Sequence, residues 1–142
     1  MYKLRVVGGT IPAVPGMALC GENERPDIAL VLPGAVERAD ALVVIAPPDT
    51  RVRAEQLITY GMGSRETVTF SSVGAGGQVL SLQRELVTLK HERLFCQDIP
   101  LLTDDKPIRS LFLSALLLTS GVPPEELAGR VRELKTGGGV NE

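Results

Sequence analysis

Hydrophobic positions come first as short separated runs and only near the C-terminus at helical spacing. LRVVGGT (4–10) reads as a strand ending in a glycine turn, and DIALVL (27–32) as a second strand that stops at Pro33-Gly34. A connection rich in Pro and Gly lies between them. ALVVIA (41–46) is a continuous apolar run, the pattern of a strand covered on both faces, and it ends at Pro47-Pro48. Asp49 or Thr50 is then placed to cap a short helix reaching about Gln56, because either side chain can accept from the free N–H groups of a first turn. LITY (57–60) favours a further strand before Gly61.

The region 67–101 supports two readings. As a helix, Val79, Leu82, Leu86 and Leu89 fall on one stripe; as strands, Val68, Phe70 and Ser72 alternate before GAGG (74–77), and Leu80, Leu82 and Leu86 share a face after it. The C-terminal part is clearer. Asp104, Asp105 and Pro107 supply acidic caps and a first-turn proline for an apolar helix to Leu118, which Gly121 ends. Pro123-Pro124-Glu125-Glu126 opens a second helix whose inner face is Leu127, Val131 and Leu134, and Gly137–Gly139 and the last residues are expected to fray.

Composition narrows the function more than the fold. A chain of 142 residues, 44% hydrophobic and 23% charged, suits one domain with one core. A net charge of −2 with scattered Lys and Arg provides no field for a polyanion, and 4% aromatics supply few stacking platforms, so nucleic-acid binding is not expected. Cys20 and Cys96 are far apart and the N-terminus lacks the apolar core of a signal peptide, which makes the cytoplasm the expected compartment. IRSLFLSALLL (108–118) is about half the ~20 residues a membrane helix needs, and reads as a buried helix.

Candidate chemistry is sparse. GAGGQV (74–79) is similar to a dinucleotide fingerprint, in which glycines let the backbone approach a pyrophosphate, but Val79 stands where a third small residue belongs. A turn is the competing reading. The lysine-bearing ATP loop G-x-x-x-x-G-K-[ST] does not occur. His91, Cys96 and Asp98 lie close together, with Cys20 as a conceivable fourth ligand, yet the paired spacing of a structural zinc site is missing. Ser64, Ser71 and Ser72 lack a G-x-S-x-G turn, and a Cys–His nucleophile pair lacks an identifiable orienting group. Arg130, Arg132 and Lys135 would lie on the second helix of a helix-turn-helix over 116–135, but Glu125, Glu126 and Glu133 oppose them. No cofactor, metal or catalytic residue is therefore assigned.

The order of segments resembles the central domain of Mur ligases, the ATP-dependent amino-acid ligases of peptidoglycan precursor synthesis. In that family a strand ending in Asn-Ala-Asp-Asp leads through a short helix to a Val-x-Thr-Phe/Tyr-Gly strand; here ALVVIAPPDTR (41–51) leads to LITYGMG (57–63). A small antiparallel sheet, a helix start and a Gly-Val-Pro-x-Glu helix follow in the family. TVTFSSVGAGGQVLSLQREL (67–86), IPLLTDDKPIRSLFLSALLLTS (99–120) and GVPPEELAGRVRELK (121–135) hold those places. VVGGTIPAVPGMAL (6–19) and PDIALVLPGA (26–35) are similar to the family's Gly-Gly-Asn-Ile-Gly segment and the strand after it. In this order GAGG joins two antiparallel strands.

The resemblance implies an α/β fold: a Rossmann-like, mostly parallel sheet, a small antiparallel section over about 67–100 and a C-terminal helical hairpin. Residues 1–139 would form that single domain, with 140–142 as a frayed tail. The family's catalytic positions are not retained: Ile45-Ala46-Pro47-Pro48 replaces Asn-Ala-Asp-Asp, and the ATP loop is missing. The expectation is a non-catalytic, Mur-ligase-like domain that binds a partner protein or small ligand. Its strand-end turns, Gly8-Gly9-Thr10 and Asp49-Thr50-Arg51, are the candidate ligand site, since open parallel sheets bind at that edge. The apolar 108–118 helix is a candidate homodimer surface. The alternatives are a ligase or other enzyme completed by a partner subunit, and a DNA-associated regulator built on the terminal helices.

Overall fold

The computed structural model describes residues 1–74, 77–101 and 106–140. Its centre is a five-stranded, wholly parallel sheet in the order β2-β1-β3-β5-β7, formed by β1 (Tyr2–Val7), β2 (Met17–Leu19), β3 (Ile28–Val31), β5 (Val43–Ala46) and β7 (Gln56–Thr59). Parallel neighbours need a crossover, usually a helix of about twelve residues or more. Here the crossovers, residues 32–42 and 47–55, contain no helix. Each instead carries a two-residue strand, β4 (Ala39–Asp40) and β6 (Val52–Arg53), and these two pair in parallel as a second layer.

The chain thus coils from one layer to the other in a solenoid-like stack, and the expected Rossmann arrangement is not the fold. The reason is local: the crossovers are short and neither has an apolar stripe of helical period. The helix expected from Asp49 or Thr50 to Gln56 is absent, because Asp49 takes a left-handed conformation (φ 68°) and the chain turns straight into β6. The Thr50 hydroxyl donates to the carbonyl of Pro47 at 2.8 Å, which ties the turn.

Side-chain size separates the two faces of the sheet. Ile28, Leu30, Val43, Ile45, Ile58 and Tyr60 belong to the main core. On the opposite face, Ala29, Val31, Val44 and Ala46 meet Ala39 and Ala41 of the second layer, forming a separate core of small residues.

Beyond β7, a parallel bridge from Tyr60 to Val68 leads into the antiparallel section foreseen for 67–100. Its three-stranded sheet has the order β12-β9-β8, from β8 (Val68–Gly74), β9 (Gly77–Leu82) and β12 (Gln97–Pro100), and β10 (Leu86–Val87) pairs with β11 (Arg93–Leu94). Gly74 stands opposite Gly77, and Gln78 lies in β9, so the strand reading of GAGGQV holds and no helix begins there.

Helix α1 (Pro107–Ser120) packs on β5 and β8, and α2 (Leu127–Val140), entered through a 3-10 turn at Pro124–Glu126, packs on α1. The Asp104 and Asp105 caps lie outside the described residues. Pro107 opens α1, and Gly121 closes it at φ 107° with its N–H on the carbonyls of Leu117 and Leu118. Residues 110–119 are all buried, so α1 is the apolar centre of the domain rather than an exposed dimer surface. α2 continues through Gly137–Gly139, where fraying was expected; glycine adopts helical angles freely, at a cost of about 1 kcal/mol relative to alanine. Residues 141 and 142 of the expected tail are outside the described residues.

Candidate functional site

Because β1, β3 and β5 are parallel, the turns after them share one edge of the sheet, as the sequence reading required. They do not form one site. β3 separates β1 from β5, which puts the two candidate turns roughly 10 Å apart across the sheet.

Gly8 is at φ 95°, and a Cβ there would stand 2.7 Å from the Cβ of Ala35, so its glycine serves the close approach of the β3–β4 turn. Arg51 offers its carbonyl to the N–H of Ala39 at 2.9 Å, which holds β4 to β6. Asp49 and Thr50 build the turn described above. Gly8, Asp49 and Thr50 thus have structural roles, Arg51 contributes only its backbone to the fold, and none of the four lines the cleft that Gly9 and Thr10 border.

That cleft, of about 580 Å³, lies between β1, β2 and residues 9–14. Its wall is mainly apolar: Leu4 and Val14 are buried, Ile11 and Met17 pack beside them, and Leu19 stands 76% exposed at the rim. Thr10, Arg5 and Cys20 add polar atoms. Arg5 is not a free charge for a ligand, since Nη2 donates to the carbonyls of Gly21 (2.7 Å) and Glu24 (3.0 Å). The Cys20 thiol donates to the same Glu24 carbonyl at 3.3 Å. Together they pin the 20–25 loop beside the edge strand. The sequence reading found Gly9 and Thr10 but missed Val14, Met17 and Leu19, which it placed in a connection rich in Pro and Gly. Met17-Ala18-Leu19 after Pro15-Gly16 was the available signal for an edge strand.

A second cleft, of about 470 Å³, opens at the opposite edge, where the strands begin. Asp27, Glu55 and His91 border it. The Asp27 carboxylate accepts the backbone N–H of Lys3 at 2.8 Å, and His91 sits at φ 66° in the turn after β10. Gln56 crosses beside it, its amide donating to the Val87 carbonyl (2.8 Å) and accepting the Val87 N–H (3.0 Å). The Gln56 side chain thereby acts as a strand partner for β10.

Among the described residues no group of three or more His, Cys, Asp or Glu is placed to hold a metal ion, and Cys96 is exposed, away from half-buried Cys20. Burial pushes the Tyr60 phenol above its ordinary titration range, and the hydroxyl donates to the Val31 carbonyl at 2.5 Å. It is a core group under α1, in edge-to-face contact with Phe112 at 5.7 Å. No helix among the described residues is long and apolar enough to cross a membrane. Comparison with protein-family models, with curated proteins and with solved structures finds no match to this chain.

Proposed function

We propose that the chain is a non-catalytic binding domain whose ligand is a small molecule with an apolar body and one polar end, held between β1, β2 and residues 9–14. The observation that carries this reading is the cleft itself. Its volume of about 580 Å³ lies within the roughly 300–1,000 Å³ of small-molecule sites, and its lining combines an apolar floor with few polar atoms. Kinship with Mur ligases belongs to the proposal on the order of segments alone, because the Rossmann arrangement expected with it is not the fold observed. The alternative of a ligase completed by a partner loses its best phosphate loop, since Gln78 lies in a strand.

The test is titration with 1-anilino-8-naphthalenesulfonate, an apolar molecule with one anionic end, followed by fluorescence. One saturable site is expected. Leu19→Asp, at the exposed rim, should weaken it at least tenfold, whereas Leu57→Asp, an exposed leucine elsewhere, should leave it unchanged. Equal effects of the two substitutions, or no saturable binding, would refute the assignment.

A further inference from the structure

The stack of coils has two ends, and they are finished differently. In-register residues Arg5, Ala29, Val44 and Leu57 form one row across the sheet, facing the second layer. At the β1 end, half-buried Arg5 ends the row and bonds the carbonyls of Gly21 and Glu24, which ties the 20–25 loop to it. Leu57, at the other end, is 45% exposed. No strand among the described residues pairs with β6 on its outer side, so the second layer stops there.

The last rung has an unused edge and an unneutralised charge. The β4–β6 ladder uses the carbonyls of Arg51 and Arg53, which accept the N–H groups of Ala39 and Ala41 at 2.9 and 3.1 Å. By the alternation of a parallel pair, the N–H and C=O of Val52 then point away from β4, toward solvent. Alternation also turns Val52 inward, where it packs on the small-residue core, and sets Arg51 and Arg53 outward and exposed.

Arg38, one residue before β4, is exposed on the same side. Asp40, in register with Arg53, is engaged by Arg25 at 3.0 Å, and Glu37 accepts the N–H of Val36. Arg38, Arg51 and Arg53 form no ion pair among the described residues. Edge strands in natural sheets are usually blunted by a charge or covered. Three arginines block a basic or neutral strand here and favour an acidic one.

We propose that the outer edge of β6 is a docking site for an extended, acidic segment of a partner protein, which adds as the next strand of the second layer. Its backbone bonds Val52, its outward carboxylates meet Arg51 and Arg53, and its inward apolar residues cover Leu57. The occupant is thus a strand in which Asp or Glu alternates with apolar residues, the pattern a strand needs when one face is solvated and the other buried. This site is separate from the β1–β2 cleft and does not depend on it.

The probe is a fluorescein-labelled peptide of alternating Val and Glu, eight residues long, with a Val/Lys peptide as control; anisotropy is read at low and at 0.5 M salt. Binding of the Val/Glu peptide alone, weakened by salt, is expected. Arg51→Glu combined with Arg53→Glu should reduce it at least tenfold. Val52→Pro, which removes the outward N–H while leaving the ladder donors Ala39 and Ala41 in place, should reduce it equally. Circular dichroism and the thermal midpoint confirm that each variant folds, and amide exchange on the unaltered chain supplies a second reading, because Val52 N–H should become protected when peptide is present. Several outcomes overturn the proposal: no binding at 1 mM peptide; equal binding of both peptides; retained binding in Val52→Pro; or a concentration-dependent dimer of the chain that Val52→Pro abolishes, which would make the occupant a second copy.

Discussion

Replacing Tyr60 with Phe removes one oxygen from a fully enclosed polar contact in the core. Tyr60 is 1% exposed, and its hydroxyl donates to the carbonyl of Val31, at the C-terminal end of β3. The substitution keeps the ring and its edge-to-face contact with Phe112, so the loss is confined to the hydrogen bond and the acceptor it satisfied. A buried acceptor left without its donor costs about 1–3 kcal/mol. With a urea dependence of about 2 kcal/mol per molar, a loss near the middle of that range lowers the unfolding midpoint by about 1 M at neutral pH.

The pH dependence supplies a second, independent reading. Burial raises the phenol above its ordinary value of 10.0, while the unfolded chain releases the proton near that value. Unfolding above pH 10 is therefore coupled to proton release and becomes more favourable as pH rises. The advantage of the wild type over Tyr60→Phe should be constant below pH 10 and shrink above it, by about 1.4 kcal/mol per pH unit once the unfolded phenol is ionised. Lysines titrate in the same interval but do so in both proteins, so the difference isolates Tyr60. Equal midpoints at pH 7 together with parallel pH profiles would show that the hydroxyl is not bonded in the core.

Four further outcomes follow from the packing. Ala29→Leu puts three more carbons into the small-residue core between the layers, and should destabilise by about 1–3 kcal/mol or more in urea titration, whereas Ile28→Leu on the other face of the same strand should cost under about 1.5 kcal/mol. Gly8→Ala combines a positive φ with a Cβ contact of 2.7 Å to Ala35, and should lower stability by about 1–3 kcal/mol. Gln56→Glu keeps the acceptor for the Val87 N–H but removes the donor to its carbonyl; a loss of about 1–2 kcal/mol and faster amide exchange across β10 and β11 are expected. Ser114→Ala should be neutral or stabilising by up to about 1 kcal/mol, because the buried Ser114 hydroxyl has no hydrogen-bond partner among the described residues; a clear destabilisation would mean that it has one.

Local signals located most of the elements but not their arrangement. The four principal parallel strands and the two C-terminal helices sit within a few residues of where apolar runs, turn residues and caps put them, whereas the pairing on either side of GAGG was left open by periodicity and came from the order of segments. The error lay between β5 and β7. Asp49 and Thr50 are good helix caps, and the same residue types are equally suited to a tight turn, with Asp tolerant of positive φ and Thr bonding its own backbone. Only the strand partner of Val52, thirteen residues back at Ala39, decides between the two, and a local reading does not contain it. The candidate site was legible in part for the same reason. Glycine and Thr at the end of β1 marked one lip of the cleft, whereas its other lip depends on β2 adding to the sheet edge.

A signal that does distinguish the coil from a Rossmann sheet is present in the strands, in side-chain size rather than polarity. DIALVL and ALVVIA are apolar on both faces, and apolarity alone says only that both faces are covered. In the first run, large Ile28, Leu30 and Leu32 alternate with smaller Ala29 and Val31, and the crossover strand opposite contributes Ala39 and Ala41. Here the crossover is itself a strand, and the residues between it and the sheet are Ala and Val. Runs with one large and one small face, joined by proline-broken links too short for a helix, therefore favour a coil. The same rule locates its ends: the row of small residues gives way to Arg5 at one end and Leu57 at the other, the first a side chain that bonds the neighbouring loop and the second one that still has an apolar face to bury.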